Sequence, residues 1–146
     1  MPGLRLFPPI ATNSRMANKD TILSIGGGPE GKDPLFVKKN QVVTYSTYVM
    51  HRRKDLFGDD ADLFRPERWE TIKPGWDYLP FNGGPRICPG QLFALMEAGY
   101  TTVRLVKAFR EVRCCDGRPW MEQLTLSLTL NNGCMVSLVP DSKLPN

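Results

Sequence analysis

The amino-acid sequence predicts an α+β chain made of small β-hairpins, a loop organised around one cysteine, and one long helix. Three observations carry this. From Gln91 to Phe109, Leu92, Met96, Gly99, Val103 and Val106 recur at spacings of three and four, with Phe93, Tyr100 and Leu105 widening the apolar face. Leu124 to Leu130 alternates with period two, and Met135 to Val139 returns after the turn Asn131-Asn132-Gly133. Between Pro80 and Gly90 the residues read F-x-x-G-x-R-x-C-x-G and run directly into the helix.

The long helix starts at Pro89-Gly90, and Lys107 and Arg110 lie near its end, where cations suit the dipole. Ala94 and Gly99 are small enough for something flat to lie close. Taken alone, the stripe means core. The alternating segment reads as an ordinary amphipathic hairpin, and Pro140 to Asn146 as a frayed tail.

The rest of the chain follows in order. Leu4 to Phe7 reads as the last turn of a helix stopped by Pro8-Pro9. Ile10 to Ser14 reads as a short extended segment. Thr21 to Val37 reads as a hairpin, with Ile22, Leu23 and Ile25 leading into a glycine-rich tip and Leu35-Phe36-Val37 returning. Gly26, Gly28 and Gly31 fit G-x-G-x-x-G, but that motif needs a helix next. Asp33-Pro34 and a β-rich run follow instead, and Asp33 would repel phosphate. Gln41 to Tyr48 reads as a strand, and Tyr48 to Phe57 as a short helix carrying His51-Arg52-Arg53-Lys54-Asp55. The plain structural reading of that basic cluster is a solvated face. His51, the sole histidine, has no Ser or Cys nucleophile pattern beside it. Gly58 to Pro80 is loop-rich. Its Asp59, Asp60 and Asp62 lack the spacing and closing Glu of a calcium loop, and Trp69 and Trp76 are expected to pack it onto the core.

Composition bounds the function. The 146 residues suit one domain, and 41% apolar content is enough for a core. A net charge of +4 is mildly basic, which suits an acidic partner surface and does not single out nucleic acid; none is expected. No apolar run is long enough to span a membrane, and Met1-Pro2-Gly3 opens into Leu4-Arg5-Leu6 without a signal segment. Cys88, Cys114, Cys115 and Cys134 form no C-x-x-C pair, which a zinc site would usually show; their even count permits disulfides, while the lack of a signal segment favours a reduced compartment.

The cysteine loop carries the chemistry. Cys88 sits at the mouth of the helix, where unpaired N–H groups and the dipole favour an anion, so a thiolate is held there. Gly84 and Gly90 permit tight turns and the close approach of a flat ligand. Phe81 can wall the loop from water, and Arg86 is a fixed cation able to clamp a carboxylate. A thiolate, a cation and a dry loop describe a haem–thiolate site. The plain alternative for Cys88 is a buried free thiol.

This segment resembles the cysteine-ligand loop of the cytochrome P450 family at every motif position. Phe64-Arg65-Pro66-Glu67-Arg68-Trp69 is similar to the family's P-E-R-F element, with Trp for Phe, and Leu4-Arg5-Leu6-Phe7-Pro8-Pro9 to the end of its E-x-x-R helix. The resemblance runs along essentially the whole chain. It implies residues 1–146 as the C-terminal part of a P450 domain whose complete fold is mainly α, with the upstream portion missing. It implies haem b held through Cys88 as the metal ligand, with Pro80, Phe81, Gly84, Arg86, Gly90 and Ala94 around the cofactor and Arg15 at a propionate. Ile10, Thr12 and Leu130 would line the substrate pocket.

Electrons would come from NADPH through a P450 reductase, docking at Arg52, Arg53, Lys54, Arg104 and Lys107. The activity implied is monooxygenation of a C–H bond in a lipophilic substrate. Asn82 to Cys88 and Tyr48 to Arg53 are similar to fungal P450s that hydroxylate n-alkanes and fatty acids. The family's fungal members are tethered to the endoplasmic reticulum, and this chain carries no such anchor. Two departures stand out. Pro2 occupies the position of the family's Glu, which leaves Arg5 and Arg68 with no carboxylate. No residue corresponds to the acid–Thr pair that delivers protons, so no catalytic residue beyond the haem ligand is assigned. The alternative is therefore a truncated, non-catalytic P450 remnant with weak or no haem binding.

Overall fold

Proline sets the first boundary. Pro2–Leu6 forms helix α1, and Pro8 and Pro9, which offer no backbone N–H, end it. The structure is a computed structural model that describes residues 2–73 and 75–141, and the chain divides into two units, Met1–Tyr78 and Leu79–Asn146.

In the first unit, β1 (Thr12–Met16) pairs antiparallel with β4 (Val42–Ser46), Thr12 opposite Ser46 and Met16 opposite Val42. Between them, β2 (Thr21–Gly27) and β3 (Asp33–Val37) form the expected hairpin, with an irregularity between Leu23 and Gly27. Its tip needs glycine. Gly28 has φ +71°, and a side chain there would collide with the Asp33 carboxylate. No helix follows the glycines, so the phosphate-loop reading fails on structure as well as on sequence.

The single helix expected over Tyr48 to Phe57 is two. Ser46 caps α2 (Thr47–Met50) by accepting from Val49 N at 3.2 Å, and α3 (Lys54–Phe57) follows after an extended Arg53. The break falls where the His51 ring turns inward. Helix α4 (Arg68–Thr71) ends the regular structure of the unit. Leu6, Ala11, Val37, Phe57 and Ala61 are its buried apolar side chains. Trp69 packs edge-on against Tyr78 at 4.8 Å between ring centroids, whereas Trp76 is 70% exposed and does not pack onto the core as expected.

In the second unit, α5 (Gln91–Ala108) matches the periodic stretch. Strand β5 (Phe109–Cys114) follows it directly, β6 (Glu122–Leu124) pairs with β7 (Leu128–Leu130), and β8 (Val136–Pro140) pairs with β5. Three expectations are corrected here. The alternating stretch Leu124 to Leu130 is not one strand. It folds back at Thr125 to Ser127, where Thr125 donates from both its N and its Oγ1 to the Ser127 carbonyl. Hydroxyl residues make such local bonds in competition with a ladder. The strand from Val136 also returns to β5 rather than to the alternating segment, because a period of two fixes which face a residue takes and not which strand it joins. Pro140 is paired, opposite Phe109, rather than frayed; residues 142–146 of the expected tail lie outside the described residues.

Candidate functional site

The cysteine loop is built from short backbone contacts. Asn82 (φ 69°) and Gly84 (φ +71°) both take the left-handed conformation, and Gly84–Arg86 forms a single 3₁₀ turn. Cys88 N donates to Phe81 O at 2.9 Å, closing the loop on itself. Gln91 N then donates to Cys88 O at 3.3 Å and Ala94 N to Gly90 O at 2.9 Å, which begins α5. Pro80 and Phe81 are half-buried, while Arg86, Cys88, Gly90 and Ala94 are exposed. The reading of Cys88 as a buried thiol is therefore excluded. A side-chain carbon at position 90 would begin 3.8 Å from the Cys88 sulfur, so glycine there leaves the sulfur's surroundings open.

The apolar stripe of α5 continues from this loop and is exposed: Leu92 75%, Phe93 66%, Met96 67%, Tyr100 67% and Val106 70%. Taken alone the stripe reads as core; the exposure of Leu92 to Val106 is instead what is expected of this stretch of a P450 domain without the rest of its pocket. Among the described residues, nothing from Leu79 to Asp141 is buried.

The first unit holds the opposite arrangement. Arg5, His51 and Arg68 are all buried. The Arg5 guanidinium donates to the carbonyl of His51 at 2.7 Å, to that of Ala61, and to that of Leu63 at 3.0 Å, and it lies 5.2 Å from the Phe57 ring centroid. Arg68 donates to the Phe57 carbonyl, to the Asp60 carboxylate at 2.8 Å and to the Asp60 carbonyl at 2.9 Å. Asp60 also meets Arg65 at 2.6 Å.

The expectation that Arg5 and Arg68 share a site without a carboxylate is thus corrected, since Asp60 supplies one. The hydrogen bond from Arg68, and next the charges of Arg65 and Arg68, hold the Asp60 carboxyl below the usual carboxylate range. One gap is left: Arg68 Nε is buried with no hydrogen-bond partner among the described residues. Burial lowers the Arg5 guanidinium from its ordinary value, helped by repulsion from Arg68 and Arg52.

His51 is no part of a solvated face. Its Nδ1 lies 3.2 Å from the Arg5 carbonyl, to which it donates, and its ring stands 5.2 Å from Tyr78. Burial pulls its pKa down to about 4, and the charges of Arg5 and Arg52 act in the same direction. Burial pushes the Tyr78 phenol up to about 12. The only sequence signal for the role of Asp60 was its place eight residues ahead of Arg68 in a loop, too general to be read alone.

The other anticipated residues divide between the units. Arg15, on β1, is exposed and donates to Ser14 O at 2.8 Å. It lines an apolar cavity of about 270 Å³ with Met16, Leu23, Val37, Val43 and Tyr45. Ile10 is 38% exposed, its carbonyl taking the Thr47 hydroxyl at 2.6 Å, and Thr12 is exposed opposite Ser46. Leu130 lies in β7, beside a cavity of about 230 Å³. The basic residues differ among themselves. Arg52 stacks 3.6 Å from the Tyr48 ring centroid, Arg53 pairs with Asp55, and Lys54, Arg104 and Lys107 are exposed.

The family model of cytochrome P450 matches residues 3–136. The chain belongs to the cytochrome P450 family. It is 53% identical to the cytochrome P450 monooxygenase fsdH of Fusarium heterosporum, over 93% of this chain and 24% of that protein. It is 56% identical to the cytochrome P450 monooxygenase himC of Aspergillus japonicus, over 92% and 24%. Against cytochrome P450 52A13 of Debaryomyces hansenii the identity is 49%, over 92% and 27%. The chain spans about a quarter of the length of these curated relatives.

The P450 family implies haem b as cofactor. The second unit fits it: an exposed thiol, a glycine that keeps the surroundings of the sulfur open, an exposed guanidinium at Arg86, and an exposed apolar helix face. Among the described residues no group of three or more His, Cys, Asp or Glu could hold a metal ion. No helix of the described residues is long and apolar enough to cross a membrane.

Proposed function

We propose that residues 1–146 form the haem-binding, C-terminal part of a P450 monooxygenase domain, with the Cys88 thiolate as the iron ligand. The observation that carries this is the loop closure Cys88 N to Phe81 O, which holds an exposed sulfur at the start of an exposed apolar helix. When bound, haem supplies the activation of O₂ for insertion of oxygen into a C–H bond. The chain's own residues do the holding. Cys88 supplies electron density to the metal, and the N–H groups after it tune the sulfur. Arg86 and Arg15 bind propionates, Pro80 and Phe81 exclude water, and Gly84, Gly90 and Ala94 leave room for a flat ring.

The substrate is lipophilic, of the alkane or fatty-acid class, and Ile10, Thr12 and Leu130 line its site. The redox partner is an NADPH–P450 reductase with an acidic surface, met by Arg52, Arg53, Lys54, Arg104 and Lys107. The complete protein works at the endoplasmic reticulum membrane. The exposed face from Leu92 to Val106 favours a second reading, a non-catalytic P450 remnant with weak or no haem binding, since large exposed apolar patches associate or aggregate.

A hemin titration separates the two. The first reading expects saturable binding with one haem per chain, weakened in Arg86→Ala and lost in Cys88→Ala. Non-saturating uptake, equal in all three proteins, supports the remnant.

A further inference from the structure

The base of the β6–β7 excursion carries a second thiol cluster, remote in sequence from Cys88. Strand β5 ends at Cys114, opposite Val136 of β8. One step on, Cys115 N donates to Met135 O at 2.8 Å, and the same register then places Asp116 opposite Cys134. Alternation puts Cys114, Asp116 and Cys134 on one face and Cys115 on the other. The cavity of about 230 Å³ agrees: Cys114, Asp116 and Cys134 line it, together with Arg118 and Asn132. Arg118 ties the loop across this cavity, donating to Asp116 at 2.7 Å and to Asn132 O at 2.9 Å. Both thiols on the shared face are free and exposed.

The geometry points to Cys114 and Cys134 as a redox-active dithiol that closes to a reversible disulfide and staples the 115–133 excursion at its base. Diagonal neighbours in a regular ladder have Cα atoms roughly 7–8 Å apart, and a disulfide needs about 4.4–6.8 Å. The required approach is small, and at Cys134 it falls on backbone outside the strand ladder. Cys134 lies outside β8, beside Gly133 in the left-handed conformation (φ 68°). Cys115 faces away and cannot compete without turning its strand over.

The oxidant is a small disulfide such as oxidised glutathione. One thiol loses its proton and attacks, a mixed disulfide forms, and one glutathione leaves as a thiol. The second cysteine then displaces the other glutathione, so two thiols lose two electrons and two protons to the glutathione pair. The cavity gives the first adduct room beside the resolving thiol.

The test is equilibration of the purified chain with oxidised glutathione, alkylation of the remaining thiols, and non-reducing peptide mass analysis. Arg118 precedes Pro119, so trypsin leaves Cys114, Cys115 and Cys134 on one peptide and substitutions make the assignment. The expected result is an internal bridge, two hydrogens lighter, that persists in Cys115→Ser and is lost in both Cys114→Ser and Cys134→Ser. Stable glutathione adducts on Cys114 and Cys134 in Cys115→Ser would overturn the proposal. So would a bridge between Cys114 and Cys115 that survives Cys134→Ser, or a bridge formed only between chains.

Discussion

The two units of this chain treat charge and apolar surface in opposite ways. The first unit buries two guanidiniums and an imidazole and covers them with carbonyls, one carboxylate and two aromatic rings. No described residue of the second is buried as a whole, and this unit exposes its longest apolar face beside its one motif cysteine. The first is organised for rigidity: its polar groups are costly to uncover and so fix the chain around them. The second leaves the apolar face of α5 uncovered. The P450 family motifs divide along the same line, the arginine elements in one unit and the cysteine loop in the other.

The comparison breaks most sharply at Arg5. Arg5→Ala removes the donor for three carbonyls, two of them in fully buried bonds, and should cost roughly 3–5 kcal/mol in the first unit. Amide hydrogen exchange over Thr47 to His51 measures it, and unchanged protection would show that the cluster does not hold the unit.

Acid should act on the same cluster. His51 binds a proton more weakly folded, with a pKa of about 4, than unfolded, at 6.5. Below pH 6.5 the unfolded state takes up more protons, so stability falls as pH drops and stops falling near pH 4. The total is about 3 kcal/mol. His51→Gln should flatten the pH dependence of the unfolding midpoint across that window; an unaltered slope would place the loss elsewhere.

A smaller effect is expected at Asp60. Asp60→Asn keeps the shape but removes the charge opposite Arg68 and Arg65, so the unfolding midpoint should drop by less than in Arg5→Ala. The drop should shrink as pH falls below the ordinary carboxylate range, where the parent protein loses the same charge. A drop as large as that of Arg5→Ala would make the carboxylate, not the carbonyls, the main partner of the cluster.

The least effect on stability belongs to α5. Phe93→Ser or Val106→Ser should change unfolding by no more than about 0.5 kcal/mol, because these side chains are exposed already. The same changes should lower self-association and binding of an apolar dye, read by light scattering and fluorescence. A large loss of stability would mean that the face is covered.

Much of this contrast was legible in the residues. The helix of Gln91–Ala108, the hairpin from Thr21 to Val37 and the proline stop after Leu6 each rest on local chemistry, and local chemistry is what a sequence states directly. The cysteine loop was legible for the same reason, its glycines, Arg86 and Cys88 lying within one short stretch. What was missed depends on distant partners. The pairing of β8 with β5, the burial of His51 against Arg5 and the carboxylate of Asp60 on Arg68 join residues whose own neighbours say nothing of each other. Trp76 failed for a related reason, since a large apolar side chain in a loop need not find a core.

The proposed role of Cys88 as haem ligand is decided by the absorption spectrum of the chain reconstituted with hemin, reduced and exposed to CO. A strongly red-shifted Soret band that disappears in Cys88→Ala is the predicted result. A band at the ordinary position, the same with and without the Cys88 sulfur, would contradict it.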